Sequence, residues 1–452
     1  MKLNKTVITS VCASAFLTLA AGSAFAKMTA AEADRLGKDL TPVGGEMAGN
    51  KEGTIPAYDG GLKAPPAGWD ASKGYADPYA SEKPKFTINA ANAEQYKANL
   101  TPGALAMLKK YPTFNMPVYP THRTAAIPKE VTDGTKAAAM NTEVNKGIGV
   151  TGLGAAYYPF PIPHNGIEAI FNATNRFIGG GLERPSNSFP VRASGDYFKI
   201  SATERRVYSP NMDRQEENRR FSFLAWFQAP ATLVGTVFLV HEPIDLSKSE
   251  RSAWIYNAGQ RRVRRAPDLA YDAVNDGTEG LRFTDQYDGY NGAPDRFDWK
   301  LVGKKEMYVP YNTYKIGAKS VKYDQMLTKN HLNPDLTRYE LHRVWVVEAT
   351  LKAGQKHSYG KRTFLLDEDS WVVLWEDAYD SRGDLWRVGI HGFQQFYDAG
   401  VPWVRYTCFH DLTNGAYLLG GVDNDLKGNP QFNLRGKSDD FTPDALRRAG
   451  TK

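Results

Sequence analysis

The chain reads as an α+β protein, mainly antiparallel β. Three observations predict this. After residue 190, short runs rich in Val, Phe, Trp and Tyr recur with turn signals between them, the pattern of antiparallel strands. Before residue 190, capping residues and apolar positions at helical spacing mark a few helices. Several of the strand runs are apolar on both faces, which suits a curved sheet covered inside by helices or a ligand.

The first 26 residues predict a secretory signal peptide. Lys2 and Lys5 precede an apolar run from Val7 to Ala21, and Ala24-Phe25-Ala26 supplies an A-x-A cleavage signal. Cys12 lies early in that run with no small-residue box before it, so the expected product is an exported protein starting at Lys27, not a lipoprotein. Beyond the signal, no run of 18 apolar residues suggests a spanning helix. Cys408 is then the one remaining cysteine. It excludes an internal disulfide framework and reads as a small buried apolar residue.

Residues 27–160 read as a Gly- and Pro-rich arm with short helices. "LTPVGGEMAGNKEGTIPAYDGGLKAPPAGWD" shows little periodicity. "NAANAEQYKAN" predicts a helix capped by Asn89. "TPGALAMLKKYP" predicts another, with Thr101 as N-cap, Pro102 at the first position and Pro112 as stop. In "HNGIEAIFNATNRFIGGG", Ile167, Ile170, Phe171 and Thr174 share a helical face that continues to Phe177 and Ile178. Asn165 caps it and Gly179-Gly180-Gly181 ends it.

The strand region is assigned to residues 161–420. "FSFLAWFQ", "TLVGTVFLVH", "SAWIYN", "HRVWVVEATL", "RTFLLD", "SWVVLWEDAY" and "LWRVGIHGF" are its strands, separated by turns such as Asn257-Ala258-Gly259 and Asp380-Ser381-Arg382-Gly383. Alternation places Trp345, Val347, Ala349 and Leu351 on one face, and Trp371, Val373 and Trp375 on one face. Residues 421–452 read as a polar tail in which "TPDALRR" predicts a short last helix.

Motifs for other chemistries fail on context. "GIGVTG" has the letters of a dinucleotide loop but no strand before it and Pro159, Pro161 and Pro163 after it. "HEPID" lacks the second His of a zinc helix and holds Pro243. Asp423, Asp425 and Gly428 resemble a calcium loop, but Lys427 and Leu434 stand where oxygen ligands belong. No G-x-S-x-G elbow occurs, and the eight histidines share no metal-ligand spacing. No cofactor, metal or catalytic residue is therefore assigned, and the chain is expected not to be an enzyme.

What remains is "WIYNAGQRRVRRAP". Arg261, Arg262, Arg264 and Arg265 follow an aromatic strand and a tight turn, so they fall on the returning strand of a hairpin. Alternation puts Arg261, Val263 and Arg265 on one face and Arg262 and Arg264 on the other. The charge reads either as a guarded sheet edge or as a docking surface or cavity rim that pairs acidic groups, with a lipid headgroup as a further partner. The formal charge of +6 falls to about +4 without the signal lysines. That mild balance argues against nucleic acid.

The segments "LTPVGGEMAGNKEGTIPAYDGGL", "FPIPHNGIEAIFNATNRFIG", "SAWIYNAGQRRVRRAPDLAYD" and "HSYGKRTFLLDEDSWVVLWEDAYDSRGDLWRV" resemble a proteobacterial family of exported domains of unknown function, family 1329. That family is similar to the LolA/LolB lipoprotein carriers and is outer-membrane-lipoprotein-sorting-like. The resemblance implies an open half-barrel with helices across its concave face. It implies a periplasmic carrier or accessory for a lipophilic molecule: a lipid, a lipoprotein acyl chain or a hydrophobic small molecule. It also implies partnership with a resistance-nodulation-division-type transporter and an outer-membrane protein. Trp226, Trp254, Trp345, Trp371 and Trp375 are the aromatics expected in the cavity wall or the core behind it. The alternatives are a docking protein without cargo and a secreted hydrolase.

Overall fold

The computed structural model describes residues 27–450 apart from Pro267, Asp268 and Ala270; the predicted signal peptide lies outside the described residues. The N-terminal part supplies α1 (Ala30–Ala33), β1 (Phe86–Ile88), α2 (Pro102–Lys110), β2 (Met116–Val118), α3 (Lys129–Ala139), and the hairpin of β3 (Glu143–Asn145) and β4 (Gly149–Thr151). Next come α4 (Gly166–Asn175), β5 (Gly181–Val191), β6 (Ile200–Tyr208), β7 (Arg219–Ala229), β8 (Val237–Pro243), β9 (Ser252–Asn257) and β10 (Arg262–Arg265). A long loop leads to β11 (Phe297–Pro310), α5 (Tyr323–Met326), β12 (Tyr339–Leu351), β13 (Lys361–Asp367), β14 (Val373–Tyr379), β15 (Leu385–Phe396), β16 (Val401–Asp411) and β17 (Tyr417–Val422). β18 (Gln431–Phe432) and α6 (Pro443–Gly450) follow.

Strands β5 to β10 form one antiparallel meander and β11 to β17 another. β17 pairs with β5, Leu418 opposite Pro190, and joins them into one sheet. The path runs from β10 at one end to β11 and the short β1–β2 pair at the other, and it does not close. The result is an open half-barrel of the α+β class. Residues 266–296 connect β10 to β11, the two far ends of the sheet, so this loop must cross the mouth of the half-barrel.

Helix α4 lies on the same inner side. Asn165 caps it by accepting the Glu168 N–H at 3.0 Å. Gly166 is needed because any Cβ there would lie 2.6 Å from the Trp299–Lys300 backbone of β11. The predicted continuation through Phe177 and Ile178 does not occur. Arg176 leaves helical geometry (φ −54°, ψ 154°) and pairs with Asp288 in the loop at 2.7 Å, and Gly181 already begins β5. Phe177 and Ile178 are still buried.

Helix α2 forms as predicted and covers the outer face over β14 and β15. Thr101 Oγ1 accepts the Ala104 N–H at 3.0 Å, and Pro102 occupies the first turn. The predicted "NAANAEQYKAN" helix is a 3₁₀ helix over Ala93–Asn99, with Asn92 rather than Asn89 at its start. "GIGVTG" forms the turn and second strand of the β3–β4 hairpin. The described part of the predicted polar tail, residues 421–450, is packed onto the sheet: β18 pairs with β5, and Val422, Phe441 and Leu446 are buried.

The start of α2 meets a buried carboxyl. Asp377 of β14 accepts the Gly103 N–H at 2.8 Å and the Trp375 indole N–H at 2.8 Å. Burial pushes its pKa up to about 6, against the lowering effect of those bonds. The folded state therefore holds a proton that the unfolded state has released between about pH 4 and about pH 6. Stability should fall as pH rises through that window, by up to ~3 kcal/mol from this group. Asp377→Asn removes the titration, so the difference in urea midpoint between wild type and variant should change across that window. Parallel profiles would refute the assignment.

Candidate ligand-binding cavity

Alternation on β5 to β8 builds a cavity of about 190 Å³ against the inner face of the sheet. Phe221, Phe223, Ala225 and Phe227 of β7 point into it, as do Phe238 and Val240 of β8 and Ile200 and Ala202 of β6. The intervening residues Leu224, Val237 and Leu239 face outward and pack with Leu446 and Phe441 in and before α6. The 266–296 loop forms the roof, with Leu269, Asn275, Thr278, Arg282 and Tyr287 in the lining. Trp403, Tyr406, Gly420 and Gly421 of β16 and β17 form the far wall. No residue of the N-terminal arm is among them.

One end of the cavity is charged. Arg184 holds Glu204 at 2.6 Å and lies 4.1 Å over the Trp403 ring. Arg206 holds Asp288 at 3.1 Å, beside the Arg176–Asp288 pair. Tyr287 donates to Glu204, and the Trp403 indole N–H donates to Asp288. Burial alone would raise the pKa of Asp288, but Arg176 and Arg206 outweigh it and hold the carboxyl below its usual range. Arg251 is paired with Glu242. These pairs fasten the loop and α4 to the sheet, so the roof is held by interactions that would be costly to break one-sidedly.

The predicted tryptophans sit elsewhere. Trp226 and Trp254 are half-buried on the outer face, in the cluster under α6. Trp345 is half-buried and stacks on Trp371 at 5.8 Å, with Lys304 Nζ 4.8 Å over its ring. Trp371 is fully buried and donates to the Val43 carbonyl of the arm at 2.8 Å. Trp375 is buried against α2 through Asp377. None of the five lines this cavity: Trp371 and Trp375 are core, Trp226 and Trp254 lie on the outer face, and Trp345 borders a separate open groove with Glu46, Ile162 and Lys304. Strand β7 is apolar on both faces, and Trp226 lies on the outer one, against the cluster under α6. Trp403 and the four phenylalanines were missed. The Phe221-Phe223-Ala225-Phe227 alternation was the available signal.

The arginine hairpin forms as expected. Arg262 pairs with Asn257 and Arg265 with Trp254, and β10 is the last strand of its end of the sheet. Arg261 sits in the turn with φ 51°, not on the strand face. Arg262, Arg264 and Arg265 are exposed. Arg265 bonds Ser252 at 3.0 Å and lies 5.2 Å over Trp254. Arg261, Arg262 and Arg264 have no ion pair among the described residues. Cys408 is buried in β16. Among the described residues no cluster of His, Cys, Asp or Glu is placed to hold a metal, and no helix is long and apolar enough to cross a membrane.

The profile of a family of proteins of unknown function, DUF1329, matches residues 87–447. The chain belongs to the DUF1329 family. An uncharacterized Pseudomonas aeruginosa protein, PA3922, is 47% identical over 443 residues, covering 96% of this chain and 97% of that protein. Among solved structures, a DUF1329 protein from Desulfovibrio piger overlaps with a TM-score of 0.42 at 15% identity, covering 59% of this chain and 92% of that one. A Vibrio parahaemolyticus domain assigned to outer membrane lipoprotein sorting overlaps with a TM-score of 0.43 at 16% identity, covering 63% and 98%. A LolA superfamily protein from Nitrosomonas europaea overlaps with a TM-score of 0.38 at 11% identity, covering 63% and 100%.

Proposed function

We propose that this DUF1329 protein is a periplasmic carrier that shelters a lipophilic molecule in the half-barrel cavity. The observation that carries the reading is the apolar wall of Phe221, Phe223, Phe227, Phe238 and Val240, roofed by a loop that spans the open sheet. An aqueous transit exposes a greasy chain at a cost of about 0.8 kcal/mol per CH₂. A wall of ring faces and branched side chains removes that cost without a covalent step. Export through the predicted signal would place the carrier between membranes.

Native mass spectrometry of the protein purified from a periplasm, with solvent extraction, tests this. A lipophile at near one-to-one stoichiometry is the expected result. Ala225→Trp should plug the cavity from β7 and weaken uptake of a fluorescent fatty acid by at least about tenfold, because the lost apolar contact of a few methylenes alone is worth that much. Its circular dichroism should match wild type. Unchanged uptake by a folded Ala225→Trp protein would place the lipophile elsewhere.

A second reading, a docking partner of an envelope transporter or outer-membrane protein, is favoured by the exposed arginines of the β9–β10 hairpin. The same spectrum separates the two. An empty protein that also takes up no fatty acid favours docking.

A further inference from the structure

The cavity is not uniformly apolar, and its charges do not cancel. Arg184 is matched by Glu204, Arg206 by Asp288 and Arg251 by Glu242. Asp276 is in the lining but exposed, at the rim. Arg282 has no ion pair among the described residues; its Nε donates to the Asn275 side-chain carbonyl at 2.8 Å, and its guanidinium lies 5.5 Å over Tyr287. A half-buried guanidinium with no carboxylate partner is costly unless something anionic meets it. Burial accordingly lowers its affinity for its proton, only partly offset by Tyr287 and Glu204.

The space in front of Arg282 is shaped. A methyl carbon placed on Gly420 would lie 3.2 Å from Thr407 Oγ1, 3.3 Å from Ser188 Oγ and 3.7 Å from Arg282 Nη1. Thr407 and Gly420 are direct cross-strand partners on β16 and β17, and Ser188 follows on the neighbouring β5. Neither hydroxyl has a hydrogen-bond partner among the described residues. Next to it, Gly421 adopts φ 82°, where the β17–β5 register shifts, and a Cβ there would lie 3.3 Å from Arg184 Nη1. Two glycines thus keep open a pocket into which one guanidinium and two free hydroxyls converge. The aromatic wall begins two strands away and extends to β8, so polar and apolar subsites are separated along the sheet by roughly 10–15 Å at the usual strand spacing.

Resting on the carrier reading, we infer that the cargo is an anionic amphiphile. Its headgroup, a carboxylate or phosphate monoester, sits on Arg282, Ser188 and Thr407 over Gly420, and its chain lies along Phe221, Phe223, Phe227 and Phe238. Guanidinium and hydroxyl donors are the groups that recognise oxyanions, with guanidinium bonds about twice as strong as neutral ones.

The test uses delipidated full-length exported protein and four probes: decanoate, decanol, decyltrimethylammonium and inorganic phosphate, followed by calorimetry. Decanoate should bind at least about tenfold more tightly than decanol, the cation should bind worst, and phosphate alone should bind weakly or not at all. Arg282→Gln should bring decanoate down to the level of decanol while decanol binding is kept. Gly420→Ala leaves every donor in place but puts a methyl where the oxyanion would sit, and should erase the same preference; it guards against a misfolded Arg282 variant. Equal binding of decanoate and decanol by wild type, or an unchanged preference in both variants, would overturn the headgroup site and leave the carrier standing. Tight binding of phosphate that decanoate displaces without gain from its chain would make this a free-anion site and overturn the amphiphile. No binding of any chain would overturn the carrier reading with it.

Discussion

Arg362→Met is expected to destabilise the protein by about 3–5 kcal/mol, the cost of leaving buried charges without their partner. Arg362 is completely buried on β13. Its Nε donates to Glu376 of β14 at 2.6 Å and its Nη1 donates to Asp285 of the crossing loop at 2.7 Å. Tyr290, Tyr359 and Phe364 surround the guanidinium at 4.9–5.3 Å. Methionine matches its length but not its charge, so two carboxylates remain in an aromatic interior. His357 at 2.9 Å from Asp285 and Gln286 at 3.0 Å from Glu376 cannot replace the lost cation fully.

The pH dependence gives the sign. Burial raises the pKa of Asp285, but Arg362 and His357 outweigh it, so the folded carboxyl titrates below its usual range. Its stabilising contribution is present above the unfolded pKa near 3.9 and is lost as pH falls through the folded value. The deficit of Arg362→Met should therefore be largest near neutrality and shrink as pH falls toward about 4 and below. Without Arg362, burial leaves the Asp285 carboxyl above its unfolded pKa, so protonation relieves the variant first, and the wild-type contribution is lost last. Urea unfolding of both proteins across that range checks it. Adding Asp285→Asn and Glu376→Gln should restore much of the stability, since neutral groups there need no counter-ion. A neutral-pH difference under about 1 kcal/mol would mean that the pair contributes no more than a surface one. Because Asp285 belongs to the cavity roof, the single variant should also become sensitive to protease within residues 266–296.

Which parts of this architecture were legible follows from what each residue had to do. Helix α2 was readable because Thr101 and Pro102 act locally. The end of α4 was not, because Arg176 leaves the helix for Asp288, more than a hundred residues away. "SAWIYN" and "RTFLLD" carry ordinary strand residues and form strands. "GLERPSNSFPV" and "ISATERRVY" are also strands, β5 and β6, but were not recognised. Their inner faces carry Ser186, Ser188, Arg184, Glu204 and Arg206, the polar end of the cavity. The chemistry of the candidate site itself thus erased the apolar alternation that would have announced its strands. Edge strand β11 hid in the same way, with Lys300, Lys304, Lys305 and a bulge at Gly303. The roof could not be foreseen, because it follows from β10 and β11 lying at opposite ends of one sheet.

Trp371→Ala should cost about 3–5 kcal/mol, the usual range for emptying the site of a buried large aromatic. The "SWVVLWEDAY" run suggested that Trp371 shares a strand face with Trp375. It instead precedes β14, at the end of the Asp367-Glu368-Asp369-Ser370 turn, with φ 62°. That turn is the dock for the N-terminal arm. Arg123 of the arm region binds Asp369 at 2.7 Å and the Glu46 carbonyl at 2.7 Å, and Arg343 binds Glu368 at 2.7 Å. Trp371 fills the space beneath, stacked on Trp345 and bonded to the Val43 carbonyl. The left-handed backbone strain is the same for alanine as for tryptophan, so it does not enter the difference. Trp371→Phe should keep most of the packing and lose chiefly the bond to Val43, about 1 kcal/mol. The alanine variant should also expose the arm around Val43 to protease. Fatty-acid uptake by the fraction that remains folded should be unchanged, because the arm contributes nothing to the cavity lining. Loss of uptake in a folded Trp371→Ala protein would instead couple the arm to the cavity, which its position on the sheet does not predict.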